Sequence, residues 1–499
     1  MSTSAVKRLG KETAIYGLST IFARVLNFLL TPFYTAVFTT SDFGVYSIFF
    51  SLIAFLNIIF AFSLPQAYLR FASDYEGKDR KVLFTTLQIV LIFITLIFGL
   101  SIYGFRTELL SSFNLTDKLT TYVFWMIAIL VLDVWSLIPF SHLRLENKSL
   151  IFSSIKLANI VVNIAMNYWF LVIVKTGLIG VFYANAIASG ISLMIVLGFT
   201  AHSFSSTLKL NWNYLRPLLL FAIPLIPGGI GTMFNEVADR LFIQRLSPET
   251  ISVIYTASHY TAQDLTGIYS ACYKLGIFMM LVVQMFSMAW QPFYLAESKK
   301  ENAPQTLGKI FELYFAGLLF FGLILALFMD NLVSVSIFGF HLIDKAYWMG
   351  LTIVPIVILA YIFSGIHNFF FIGMILKKKS KDLLSINLIG VFVTLAGNLI
   401  LLPVIGIMGS AIATMLCYMV MCVFQIRKSQ SFYHLTINWK RISLFSVLSI
   451  PAWILTVWQQ QNPFLSIAEK FILVFLFALS LFLFKIVSKD QIRLFVKRF

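Results

Sequence analysis

Apolar runs of about 20 residues recur from one end of this 499-residue chain to the other. At about 1.5 Å per residue, a helical run of that length crosses a hydrocarbon layer about 30 Å thick. In such a layer only helices and closed barrels satisfy their backbone polar groups. Barrel strands would alternate in polarity over about ten residues, and alternation is absent here. Charged residues make up 12% of the chain, against about 25% for soluble proteins. The expected fold is therefore an all-α integral membrane protein. The runs fall at residues 13–38, 43–64, 82–104, 121–141, 151–174, 178–200, 217–239, 267–290, 307–329, 347–374, 382–402, 406–426, 442–458 and 466–487, about fourteen transmembrane helices.

Charge orients them. Of the 37 Lys and Arg residues, 28 flank loops of one parity and 8 the other, while Arg24 lies inside the first run. By the positive-inside rule both termini are cytoplasmic. The net charge of +16 is thus mostly topology. Because the basic residues sit in short loops rather than on one face, no nucleic-acid partner is expected, while attraction to anionic membrane lipid is. Cys272, Cys417 and Cys422 fall within runs, form no C-x-x-C pair, and read as packing residues. The first run is too long for a cleaved signal peptide, contains Arg24 and lacks a small-residue cleavage site. Polar gaps reach only about 20 residues and no G-x-x-x-x-G-K-[ST] pattern occurs, so no nucleotide-binding domain or cofactor is expected. Energy for active transport would come from an ion gradient, the membrane potential or downstream consumption.

The chain nearly repeats itself. Gly44-Val45-Tyr46-Ser47 returns as Gly267-Ile268-Tyr269-Ser270, Gly177-x-x-Gly180 as Gly406-x-x-Gly409, and Ala186-Ile187-Ala188 as Ala411-Ile412-Ala413, at offsets of 223, 229 and 225 residues. Two similar membrane halves point to a transporter whose substrate site lies between them. The expected division is 1–210, 211–430, and 431–499 for two extra helices and a basic tail.

Several polar residues stand where hydrocarbon is expected. Arg24 lies about 16 Å into the first run, where an Arg costs about 2.5–3.5 kcal/mol. It must face protein or water. Thr20, Arg24, Asn27, Thr31 and Thr35 recur at helical spacing beside Pro32. This stripe reads as a cavity wall, or Arg24 pairs with an acid on a neighbouring helix. The seventh run carries Pro224, Pro227, Gly228, Gly229 and Gly231 ahead of Asn235, Glu236, Asp239 and Arg240. Such a bent or broken helix often marks a transporter site. Its charges form either a binding cluster or a self-neutralised interfacial group. Asp133, mid-run, can carry a coupling proton or neutralise Arg24. Lys156, Asn159, Asn163 and Asn167 form one Asn-rich stripe, and Asn387, Thr394 and Asn398 another. Both read as interhelical packing or as a sugar-contacting wall. Arg70, at the cytoplasmic mouth of the second run, reads as an anchor or a ligand contact. Lys274 and His367 are weaker candidates.

These residues carry a family resemblance. Lys11 through Leu18, Thr31-Pro32-Phe33-Tyr34-Thr35, Asp42 through Ser47, Tyr68-Leu69-Arg70-Phe71, Asp239-Arg240-Leu241-Phe242-Ile243 and Gly267 through Ser270 resemble polysaccharide-transport flippases of the O-antigen type. These belong to the multidrug/oligosaccharidyl-lipid/polysaccharide exporter superfamily. The resemblance runs from about residue 8 to about 430. It implies two six-helix lobes with pseudo-twofold symmetry around a V-shaped central cavity, plus two C-terminal helices. It further implies a bacterial cytoplasmic membrane and alternating access. The implied cargo is an undecaprenyl-diphosphate-linked oligosaccharide carried to the outer leaflet, with a polysaccharide polymerase and a chain-length regulator as further partners. Arg24 matches the family's cationic cavity by position, and Arg70 and Arg240 match motif positions. One departure is the segment 247–266, longer than its counterpart at 39–43, which reads as an external cap or a tolerated loop insertion.

The residues fit such a cargo. Arg side chains present forked donors to a diphosphate, and Asn and Thr stripes can bond a glycan. Two other readings stand beside it. A cation-coupled drug or metabolite antiporter of the same fold would use Asp133, Glu236 and Asp239, though a deep Arg24 argues against it. A membrane enzyme would want a large external catalytic loop, and no acid–base, metal-ligand or nucleophile motif stands in a loop.

Overall fold

The protein is described by a computed structural model covering residues 21–22, 24–205, 210–256, 259–337, 339–377 and 380–483. Thr20, the N-terminal basic cluster, Lys378, Lys379 and the tail beyond 483 lie outside these. What is described of the first expected span is helical from 24 to 37.

Thr39 starts the next helix, α1 (Thr40–Ala61). Its hydroxyl accepts the Asp42 N–H at 3.1 Å and donates to the Asp42 carboxylate at 2.8 Å. That satisfies an orphan donor and places an acid at the positive helix end. Phe62 and Ser63 then turn left-handed, at φ 52° and 51°. Pro65 sits in the first turn of α2 (Leu64–Phe71), where its missing N–H costs nothing.

The chain continues through α3 (Gly77–Gly104), α4 (Thr120–Leu145), α5 (Ser149–Tyr168), α6 (Ile179–Thr200), α7 (Ile226–Ile243), α8 (Ala262–Tyr273), α9 (Ile277–Glu297) and α10 (Ala303–Leu327). It closes with α11 (Val354–Phe369), α12 (Ser380–Ile405), α13 (Ile407–Phe432), α14 (Trp439–Gln461) and α15 (Ile467–Leu483). Strand among the described residues is a two-residue antiparallel pair, Ser336–Ile337 with Phe340–His341. Twelve helical segments among the described residues are long and apolar enough to cross a membrane. They coincide with the runs expected from 43–64 to 442–458, so the all-helical multi-pass reading holds. The first and last expected spans lie partly outside the described residues.

Packing divides the chain into two compact units. One comprises the described residues of Met1–Leu30, Val37–Ser247 and Ala262–Thr266, the other those of Thr31–Ala36, Pro248–Thr261 and Gly267–Phe499. In the first, Phe182 of α6 receives Phe49 of α1 and Tyr122 of α4 edge-on, with ring centroids 5.6 and 5.2 Å away. Each such pair contributes about 0.5–1.5 kcal/mol beyond area burial. The α7 helix packs on α1, where a Cβ at Gly229 would lie 3.0 Å from Ile58. In the second unit, α9, α10 and α11 are joined by stacked rings. Phe286 lies on Tyr314 at 3.7 Å and Trp290 on Phe369 at 4.0 Å. The indole N–H of Trp290 donates to the Phe369 carbonyl at 3.1 Å.

The repeated Gly-x-x-Gly motifs build the same corner in each unit. Gly177 and Gly406 adopt φ of 70° and 61°, a region an L side chain enters only with strain. Gly180 N–H then donates to the Gly177 carbonyl at 3.0 Å, and Gly409 N–H to the Gly406 carbonyl at 2.8 Å. A Cβ at Gly180 would run into the Thr176 hydroxyl, and one at Gly409 into the Leu401 carbonyl. The motif thus reverses the chain before α6 and before α13.

Segment 247–266 carries a short helix, Pro248–Ile254. Tyr255 follows it and seats its ring against Gly406, while its hydroxyl accepts the Ile407 N–H at 3.0 Å. Burial holds this phenol above its usual pKa, against the opposing pull of that bond. Pro248–Ile254 with Tyr255 is therefore a structured fastening of the second corner.

Candidate functional site

Local structure separates the expected stripe on the first span. Arg24 is half-buried and Asn27 exposed, whereas Thr31 and Thr35 are buried. The Thr35 hydroxyl donates to the Pro32 carbonyl at 3.2 Å and accepts the Asp344 N–H at 3.3 Å. It thereby serves the fold. The Thr31 hydroxyl is buried and has no hydrogen-bond partner among the described residues, a feature that costs about 1–3 kcal/mol unless something else satisfies it.

Asp133 stands at the centre of a polar group formed by three helices of the first unit. Its Oδ1 accepts from Ser189 Oγ of α6 at 2.7 Å. Lys156 of α5 brings a positive charge toward it. The Lys156 ammonium lies over the Phe140 ring, 4.1 Å from its centroid. In sequence Lys156 stands only as the first member of a polar stripe, and Ser189 carries no signal of its own. No one-dimensional spacing links α4, α5 and α6.

Members of both Asn stripes bond within the fold. Asn167 donates to the Asn163 carbonyl at 2.8 Å and to its side-chain oxygen at 3.0 Å. Asn398 donates to the Thr394 carbonyl at 2.9 Å and accepts from Ser410 of α13 at 2.7 Å. The second bond ties α12 to α13.

The proline- and glycine-rich segment is interrupted as expected. A 3₁₀ turn at Ile223–Leu225 separates the helix Trp212–Ala222 from α7. Near the far end of α7, Asn235 and Asp239 are buried, and Glu236 and Arg240 half-buried. Arg240 turns its guanidinium back to the Glu236 carbonyl at 2.7 Å. Lys274 occupies a 3₁₀ turn, Lys274–Gly276, between α8 and α9. His367 is buried in α11 with its Nε2 unbonded among the described residues.

Arg70 is exposed and pairs with Asp74 at 3.1 Å. Exposed pairs contribute about 0.2–1 kcal/mol, so Arg70→Gln is expected to leave thermal stability within about 1 kcal/mol. A larger loss in a detergent melt would assign Arg70 a structural role.

A second cluster escaped the sequence reading. Glu146, just beyond α4, faces His142 at 3.2 Å and His202 at 3.6 Å, and Lys148 binds its other oxygen at 2.8 Å. Burial opposes ionisation of Glu146, but the Lys148 hydrogen bond and the histidines prevail and hold its carboxyl below the usual range.

Residues 9–299 match a family described as "Polysaccharide biosynthesis protein". The chain belongs to that family. Solved structures show the fold of this polysaccharide biosynthesis protein more fully. It is similar to the lipid II flippase MurJ in an inward closed conformation, at 16% identity and TM-score 0.63, covering 95% of this chain and 98% of that one. It is similar to the Vibrio cholerae MATE transporter VcmN at 16% identity and TM-score 0.55, covering 86% and 97%. An inward-facing MATE transporter of the MOP superfamily aligns at 11% identity and TM-score 0.58, covering 86% and 97%. No curated protein matches at a significant level. The fold is the one that flippase and those transporters share.

Proposed function

We propose that this family member flips undecaprenyl-diphosphate-linked oligosaccharide from the inner to the outer leaflet of a bacterial cytoplasmic membrane, by alternating access, for O-antigen, capsule or exopolysaccharide synthesis. The observation that carries the reading is the combination of family and extent. The chain matches the polysaccharide family over 9–299, and its likeness to a lipid flippase extends over 95% of its length, against 86% for the MATE transporter VcmN. The difference is about the length of two spans, in keeping with α14 and α15 as the additional pair. Arg24 is the diphosphate contact in this reading, and Asn27 and Thr31 are further candidates from the same stretch of sequence. Arg70, Arg240, Lys274, Asn163 and Asn167 are secondary candidates. Both termini are cytoplasmic, and a polymerase and a chain-length regulator act downstream.

The test is a proteoliposome assay with a polyprenyl-diphosphate oligosaccharide, its outer-leaflet pool read by an impermeant glycosidase. Charge-assisted hydrogen bonds contribute about 1.5–3 kcal/mol, so Arg24→Gln should slow flipping roughly ten- to hundredfold at equal insertion. Equal rates would remove Arg24 from the site. A second reading, cation-coupled drug or metabolite antiport, draws on the acids Asp133, Glu236 and Asp239. No flipping together with export of an organic cation dye by the wild type would favour it.

A further inference from the structure

The cluster at the end of α4 has a geometry that the flippase reading does not use. His142 and Glu146 are four residues apart and so share a face of the chain leaving α4. His202, in the 3₁₀ turn Ala201–Ser203 that ends α6, comes to the same point. One donor atom from each residue lies within 4.8 Å of the others. Glu146 Oε1 is 3.2 Å from His142 Nε2 and 3.6 Å from His202 Nε2. Four ligands placed tetrahedrally at 2.0–2.1 Å, the zinc–nitrogen distance, stand roughly 3.3–3.4 Å apart. The separations of 3.2 and 3.6 Å bracket that edge.

The surroundings match what a bound cation requires. Tyr68 Oη of α2 lies 2.6 Å from His142 Nδ1, and Ser203 Oγ 2.7 Å from His142 Nε2. With the proton on Nδ1, donated to Tyr68, Nε2 keeps its lone pair, which Ser203 can bond and a metal can take over. In that tautomer Nε2 and Glu146 Oε1 meet as two acceptors, and a cation between them resolves the repulsion. Lys148 occupies Oε2 at 2.8 Å and leaves Oε1 to the histidines. Lys148 and Arg80 also bring positive charge near the cluster. A site with that field selects an ion that binds through imidazole coordination over a hard ion drawn by charge.

We infer that His142, Glu146 and His202 form a site for a zinc-class divalent cation, on the loop side that the charge distribution assigns to the cytoplasm, tying the ends of α4 and α6 together, with Tyr68 of α2 positioning His142. The inference is independent of the cargo.

The experiment uses the full chain in detergent, purified without a polyhistidine tag and stripped with chelator, then titrated calorimetrically with ZnCl2 and spectroscopically with CoCl2. One equivalent of Zn2+ should bind, Co2+ should give the strong visible absorption of a tetrahedral site, and excess Mg2+ should displace neither. His202→Ala, at an exposed position, should abolish binding while leaving the chain folded, and Glu146→Gln should do the same. Tyr68→Phe should keep the Co2+ spectrum but weaken Zn2+ binding roughly ten- to hundredfold, the usual cost of losing a partner behind a ligand. A flat wild-type titration, or identical wild-type and His202→Ala isotherms, would overturn the inference and leave a hydrogen-bond network with Nε2–H directed at Glu146.

Discussion

Lys470→Met is expected to destabilise the protein by about 3–5 kcal/mol, the usual cost of stripping one partner from a buried ion pair. Lys470 is fully buried at the start of α15. Its ammonium donates to both Asp330 oxygens at 2.7 Å and to Asn331 Oδ1 at 2.6 Å, which uses all three of its protons. Asp330 receives a further bond from Gln459 of α14 at 2.9 Å. The Gln459 carbonyl oxygen accepts the N–H groups of Phe464 and Leu465, and Gln460 donates to the Ala326 carbonyl of α10 at 2.9 Å. One acid thus gathers the ends of α10, α14 and α15. Loss of Lys470 strands the Asp330 charge, and Asp330→Asn in the same chain should recover most of the loss. Thermal melts of the two single variants and the double variant, run as a cycle in detergent, measure this. Additive losses would mean that the pair is not coupled.

Gly406→Ala should cost clearly more than Gly177→Ala, although both glycines begin the same motif. At Gly177 the space around a new Cβ is open, so the penalty is the left-handed backbone alone, about 1–2 kcal/mol. At Gly406 the Cβ would also strike the Tyr255 hydroxyl and ring, adding about 1–3 kcal/mol of overpacking. Tyr255→Ala in the Gly406→Ala background should therefore return part of the loss, while the same change beside Gly177→Ala should not. Equal melting shifts for the two glycine variants would contradict the packing account.

Much of this architecture is legible in the chain because its causes are local. Apolar runs mark the spans, Thr39 and Asp42 mark the start of α1, and the prolines at 224 and 227 mark the turn before α7. What stayed hidden depends on neighbours distant in sequence. Asp133 was noticed as a charge out of place, but its setting is made by Ser189 and Lys156 from two other helices. In sequence the Asn stripes read equally as interhelical packing or as a sugar-contacting wall. In the fold, Asn167 and Asn398 spend their amide N–H groups on their own helices. His142 and Glu146 have a spacing that could have been noticed, yet their meeting with His202 depends on how α4 and α6 end. Asp330 and Lys470 are separated by 140 residues, and only the packing of α10 against α15 reveals them.

The paired corners bear on how a chain of this kind keeps a trace of its own duplication. A transmembrane helix can exchange Leu for Ile, Val or Phe across most of its surface at small cost, so two copies of a helix soon cease to look alike. A corner has no such latitude. It needs one residue that can turn left-handed and, three positions on, one with no side chain to obstruct the preceding helix end, and both needs are met within the corner itself. Part of the internal repeat is therefore carried by the glycines at 177, 180, 406 and 409, beside the short motifs at 44–47 and 267–270 and at 186–188 and 411–413, while the rest of the long apolar stretches that dominate the molecule by mass shows little of it.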